Sequence, residues 1–236
     1  MRALRPPVAL AGRLVRSSST SAQRPCLLVD AFGVLLTLSE PLEAVYLRVA
    51  SSHGVQGLTS EGVKRDWRRA WSAPRPDGQL RYEGDGSHFW RRVVAAATGC
   101  HDAVLFQMLF RHYAKPEAWR VADGAHDALA RLRAGHVRLG LVSNFDNRLR
   151  PLLHDLELAP LFDSLIVSAE VGFEKPDRRI YEAAAHALGV SLRDCHMVGD
   201  DEECDVQGAL QAGCAGAWLY GRDVASFCEL ADRVLQ

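Results

Sequence analysis

The first strong pattern in the chain is an unbroken apolar run, Cys26-Leu27-Leu28-Val29, that ends on Asp30 and breaks at Gly33. A short apolar run bounded by a turn signal reads as a fully buried strand of a parallel sheet. From residue 41 to about 114 the period becomes helical. Leu42, Val45, Tyr46 and Val49 recur at i, i+3, i+4 and i+7. Val63, Trp67, Ala70 and Trp71 repeat that rhythm after a cap at Thr59 or Ser60. Phe89, Trp90, Val93, Val94 and Ala97 form a third stripe, and Val104, Leu105, Met108 and Leu109 a fourth. Pro74-Arg75-Pro76-Asp77-Gly78 marks a loop between them. Trp67, Trp71 and Trp90, at helical spacing, read as the core of this bundle.

After residue 117 short apolar runs and helical stretches alternate. Strands are predicted at Val137–Val142, Ser164–Val167, His196–Val198 and Gly216–Leu219. Helices are predicted at Ala125–Ala134, Arg148–Leu156, Arg178–Leu188 and Val206–Ala212. Such alternation means a parallel sheet covered on both faces. The expected fold class is α/β: a doubly wound, Rossmann-like core of residues 25–40 and 117–236, with a helical-bundle cap of residues 41–116 inserted after the first strand.

Composition narrows the partners. No stretch approaches the roughly 18 to 20 apolar residues of a membrane span, and a net charge of -1 argues against a nucleic-acid surface. The charge is uneven, however. Residues 1–29 carry Arg2, Arg5, Arg13, Arg16 and Arg24 with no acid, and Ser17-Ser18-Ser19-Thr20-Ser21 lies among them. An Arg-rich, Ser-rich, acid-free start has the composition of a transit peptide. Residues 1–24 are therefore expected to be a targeting or disordered segment, with the mitochondrion ahead of plastid, cytoplasm or nucleus. The six cysteines include no C-x-x-C pair, so zinc spacing is missing and reduced thiols are expected.

Candidate chemistry gathers at the predicted strand ends. Asp30 ends the first strand, Ser143-Asn144 the second and Gly199-Asp200 the fourth, while Lys175-Pro176 follows the third after a short loop. In a parallel sheet these ends share one edge. A carboxylate already ionised at neutral pH suits Asp30 as a nucleophile. Ser143 suits an anionic oxygen, and Lys175 balances negative charge. Phe32, Gly33 and Asn144 are expected to border the substrate. Asp200, Asp201 and Asp205 add acidity that repels Asp30 unless a cation is present, and hard oxygen donors suit Mg²⁺. Asp200-Asp201-Glu202-Glu203 also reads as a solvated loop capping the next helix.

These residues resemble the four motifs of the haloacid dehalogenase superfamily, in order: Asp30-Ala31-Phe32-Gly33-Val34, Ser143-Asn144, Lys175-Pro176-Asp177, and Gly199-Asp200 through Asp205. The likeness spans about residues 26–220. The segments Gly172-Phe173-Glu174-Lys175-Pro176-Asp177 and Val198-Gly199-Asp200 are similar to the haloacid dehalogenase-like hydrolase domain-containing protein 3 group. The resemblance implies a mobile cap, an aspartyl ester or aspartyl phosphate intermediate on Asp30, and Mg²⁺ held by Asp30 and Asp205 with Asp200 (or Asp201). The substrate it implies is a small phosphorylated metabolite.

Two positions depart from that pattern. Phosphatases of the superfamily carry an Asp acid/base two residues after the nucleophile, where this chain has Phe32. An aromatic there resembles the 2-haloacid dehalogenases, whose halide leaves without a proton. Asp200 and Asp201 instead resemble the Mg²⁺-dependent phosphatases, and Val34 replaces a Thr common to both branches. Three readings stand: a slow or specialised phosphatase, a non-catalytic binding protein, and a dehalogenase.

Overall fold

Alternation within the apolar runs sorts their side chains onto the two faces of one sheet. In the computed structural model, which describes residues 25–75 and 79–236, Leu27 and Val29 enter one apolar cluster and Cys26 and Leu28 the other. The expected targeting segment 1–24 and residues 76–78 of the 74–78 loop lie outside the described residues.

The strands are β1 (Cys26–Val29), β2 (Leu36–Leu38), β3 (Trp119–Val121), β4 (Arg138–Ser143), β5 (Ser164–Val167), β6 (Cys195–Gly199) and β7 (Gly216–Leu219). Five of them form a parallel sheet in the order β5-β4-β1-β6-β7. The chain moves outward from β1 through β4 to β5, then crosses to β6 on the other side of β1. That reversal opens a crevice at the carboxyl ends of β1, β4 and β6, the usual ligand edge of open α/β sheets. Helices cover both faces, so the doubly wound α/β core is present. The second sheet, β2 paired antiparallel with β3, was not anticipated.

Between β2 and β3 run α1 (Leu42–Ser52), α2 (Ser60–Trp71), α3 (Ser87–Thr98) and α4 (Ala103–His112). Thr59 caps α2 by accepting from Gly62 N, and Asp102 caps α4 by accepting from Val104 N and Leu105 N. Their apolar stripes meet in a cluster that includes Val45, Val63, Val94 and Leu109. Both connections between this unit and the large sheet pass through the β2–β3 pair.

The remaining helices are α5 (Ala125–Ala134), α6 (Leu149–Asp155), the single turn α7 (Ser168–Val171), α8 (Arg178–Leu188), α9 (Gly208–Ala212) and α10 (Phe227–Leu235). The predicted helix at Val206–Ala212 begins earlier, as a π-helical turn over Glu202–Gln207 that runs into α9. The unanticipated α10 packs on α5, where Asp232 pairs with Arg131 at 2.7 Å. Among the described residues no single helix is long and apolar enough to cross a membrane.

Candidate active site

β1 delivers Asp30 to the crevice while the ladder is still intact, its N–H donating to Val198 O at 2.9 Å. The chain then turns sharply, with Leu35 N and Leu36 N both donating to Ala31 O. Gly33 lies in this turn at φ +86°, and a Cβ there would stand 1.9 Å from Asp200 Oδ2. At the end of β6 a Cβ on Gly199 would stand 2.0 Å from Asp205 Cγ. The two glycines thus leave the space in which two carboxylates close on Asp30. Ligand oxygens of Asp30, Asp200 and Asp205 lie within 4.8 Å of one another.

Lys175 enters from the loop after α7. Its Nζ donates to Asp30 Oδ1 at 2.7 Å and to Asp205 Oδ1 at 2.5 Å, and the side chain is 4% exposed. Burial works against the Lys175 charge, but Asp30 and Asp205 outweigh it and raise its pKa. The Asp30 carboxyl is pushed well above the usual range, first by burial and then by Asp205 and Asp200, while Lys175 pulls it down. Burial likewise raises Asp200, with Asp205 adding to it. One ammonium among three carboxylates leaves two negative charges uncompensated when all are ionised. An all-oxygen donor set with that residual charge, in a cradle two glycines keep open, fits a hard divalent cation such as Mg²⁺.

The acidic loop divides its work. Asp201 caps the π-helical turn, accepting from Glu203 N and Cys204 N, while Asp200 and Asp205 face Asp30. Asn144 was expected beside substrate. Its amide grips the Lys175 backbone from both ends, accepting from Lys175 N at 2.7 Å and donating to Lys175 O at 2.9 Å. Ser143 is buried at the end of β4. Tyr181 is core, and its hydroxyl donates to Cys204 O. Lys64 pairs with Glu43 at 2.8 Å, away from this cluster.

Phe32 turns away from the carboxylates and is 47% exposed, its ring edge-on to Trp119 at 6.0 Å. It borders a cavity of about 360 Å³ between α1–α4 and the sheet edge. Trp67, Trp71 and Trp90 pack against the apolar clusters of the helical unit, as expected, and also line this cavity. Their period correctly marked one helix face; what that face meets depends on the neighbouring helices.

One buried device escaped the sequence reading. Asp146, fully buried, takes Arg148 Nε at 2.8 Å and Nη2 at 2.7 Å, and also Trp90 Nε1 from α3 at 2.9 Å. Arg148 donates onward to Phe110 O and lies 3.8 Å over that ring. Glu174, one residue before Lys175, makes a second tie by holding Arg75 at 2.5 Å and accepting from Arg81 N. The available signal was an Asp and an Arg two residues apart just past a strand end.

A doubly wound sheet presenting a buried Asp–Lys pair beside two more carboxylates at its switch point defines a hydrolase-type active site. The chain matches the haloacid dehalogenase-like hydrolase family over residues 25–213, and it belongs to that family. It is 31% identical over 202 residues to human haloacid dehalogenase-like hydrolase domain-containing protein 3, covering 81% of this chain and 80% of that protein. A phosphatase of the family from Thermococcus onnurineus superposes with a TM-score of 0.65 at 22% identity, covering 88% of this chain and 96% of that one. The L-2-haloacid dehalogenase of Xanthobacter autotrophicus superposes with a TM-score of 0.64 at 20% identity, covering 85% and 78%. Both chemistries share this fold, so the choice between them rests on side chains.

Proposed function

We propose that the protein is a Mg²⁺-dependent phosphatase of small phosphorylated metabolites, working through an aspartyl phosphate on Asp30. The carrying observation is the convergence of the Asp30, Asp200 and Asp205 oxygens within 4.8 Å around Lys175. A metal-free dehalogenase has no use for three crowded carboxylates, which are costly without a cation. Mg²⁺ held by Asp30, Asp200 and Asp205 supplies positive charge for the phosphoryl oxygens.

The chain's own groups do the rest. Asp30 attacks phosphorus, and Lys175 orients the attacking carboxylate. Asn144 positions Lys175 by holding its backbone. Ser143 offers its hydroxyl to a phosphoryl oxygen, and α1–α4 act as a cap over the site. Phe32 carries no proton for the leaving oxygen, which predicts slow turnover of ordinary alkyl esters.

The test compares wild type with Asp30→Asn on a phosphate-ester panel, with and without chelator. Activity that needs both Asp30 and Mg²⁺ supports the reading, and equal rates in the two proteins sink it. Phe32 favours a second reading, binding without turnover. Trapping of beryllofluoride with Mg²⁺ by a protein inert towards every ester would establish that one. Turnover of a 2-haloacid that survives chelation would establish dehalogenase chemistry. We also propose mitochondrial import directed by residues 1–24, tested by imaging the chain with and without them.

A further inference from the structure

The cavity beside Phe32 has an unusual wall. Eleven of the chain's 18 aromatic residues line its 360 Å³, including four of the five tryptophans: Trp67, Trp71, Trp90 and Trp119. Among the described residues that line it there is no Asp, Glu, His or Lys. Its two arginines differ: Arg148 is neutralised by Asp146, while Arg68 is exposed on α2. Two polar atoms carried by wall residues, Trp67 Nε1 and Tyr113 Oη, are buried without a hydrogen-bond partner. A space of this volume is within the range of small-ligand pockets. Flat rings recognise other flat rings by stacked and edge-on packing.

The cavity also meets the reaction centre, since Phe32 is two residues from Asp30 and Asn144 holds Lys175. A group leaving into this space meets no carboxylic acid or imidazole to protonate it. An alkoxide, with a conjugate acid near the pKa of about 16 of water, departs poorly under those conditions. A phenoxide, with a conjugate acid near 10, departs without help. The ring-lined wall and the missing proton donor are separate observations, and they select the same leaving group.

We propose that the cavity is a leaving-group site for an aromatic ring, and that the substrate class is an aryl phosphate monoester. The assignment rests on the phosphatase reading of Asp30. An Asp30 oxygen bonds to phosphorus as the phosphorus–aryl oxygen bond breaks, and the aryl oxide leaves with the electron pair. Water then attacks phosphorus, the Asp30–phosphorus bond breaks, and the products are inorganic phosphate, free Asp30 and a proton that the aryl oxide takes up.

The test uses the full chain with Mg²⁺ and two measurements. Calorimetry with 2-naphthol, which has no phosphate, reads cavity occupancy alone. Steady-state kinetics then compare 2-naphthyl phosphate with glycerol phosphate. Wild type is expected to bind 2-naphthol saturably and to favour the aryl ester in kcat/KM by about 10² to 10⁴, the help an acid would otherwise give. Leu42→Trp fills the cavity from its partly exposed rim and is expected to weaken naphthol binding by about tenfold or more. Leu38→Trp, from β2, serves if the first variant does not fold.

Naphthol binding that Leu42→Trp blocks, in a protein inert towards all esters, would keep the aromatic site and overturn the phosphatase reading. Ester turnover with no aryl preference and no naphthol binding would overturn the aromatic site alone. Naphthol binding that both filling variants leave intact would place it elsewhere and also overturn the site.

Discussion

The proposed chemistry at Asp30 turns on two residues, Phe32 and Lys175. Phe32 withholds a proton, and Phe32→Asp is expected to raise alkyl-ester hydrolysis by about 10² to 10⁴, read by phosphate release. A smaller gain than about tenfold would mean that this position does not limit the reaction. Lys175 separates Asp30 from Asp205 at 2.7 and 2.5 Å. Lys175→Met leaves two buried carboxylates facing each other. The expected cost is about 3 to 5 kcal/mol, the usual penalty for breaking a buried ion pair from one side, measurable by urea unfolding in chelator. Asp200→Asn acts in the opposite sense. It relieves repulsion, so the variant is expected to melt higher than wild type in chelator and to gain less from added Mg²⁺.

The helical unit and the sheet meet through ties carried by short segments. Asp146 is fully buried and has Arg148 as its cationic partner, with Trp90 of α3 on the same carboxylate. Arg148→Met strands that charge and is expected to cost about 3 to 5 kcal/mol, with loss of ester binding because Phe110 loses its anchor. Asp102→Ala removes the acceptor for two N–H groups at the start of α4. It is expected to cost about 1 kcal/mol and to lower the melting midpoint without changing kcat. The helices α1–α6, α8 and α9 were largely legible because their apolar period and caps are local. β2 and β3 were not, since three-residue strands more than 80 positions apart carry no local signal. The cavity was invisible for the same reason: its wall is assembled from four helices, β2, β3 and two sheet-edge turns.

Across the whole molecule, stability is tied to pH through buried histidine. His196, 6% exposed on β6, stacks on Trp218 at 5.0 Å, and burial lowers its pKa from the ordinary 6.5. Burial also lowers His112, with Arg48 acting in the same direction. At these two histidines, in the window below 6.5 and above the folded values, the unfolded chain binds more protons than the folded one. Their contribution to stability is therefore complete above about pH 6.5 and is lost as pH falls through the lowered folded values. The histidines are expected to pull the melting midpoint down below pH 6.5, against the raised Asp30 and Asp200 carboxyls, which act in the other direction. His196→Phe, which keeps the stacking ring, is expected to remove part of that downward slope relative to wild type. An unchanged slope would show that His196 does not carry it.

Sequence alone determined the α/β core, the strand ends and the identity of Asp30, Ser143, Lys175, Asp200 and Asp205, because strand and helix periods and turn glycines act between near neighbours. Only tertiary structure decided which acids face one another. Gly33 and Gly199 admit Asp200 and Asp205 to Asp30, while Asp201 is drawn off to cap a helical turn and Asn144 to hold a backbone. Tertiary structure also gave three tryptophans that pack against the helical unit's apolar clusters a cavity to line. The physical reason is common to both: periodicity fixes the face on which a side chain lies, but its partner across space depends on packing between elements distant in the chain.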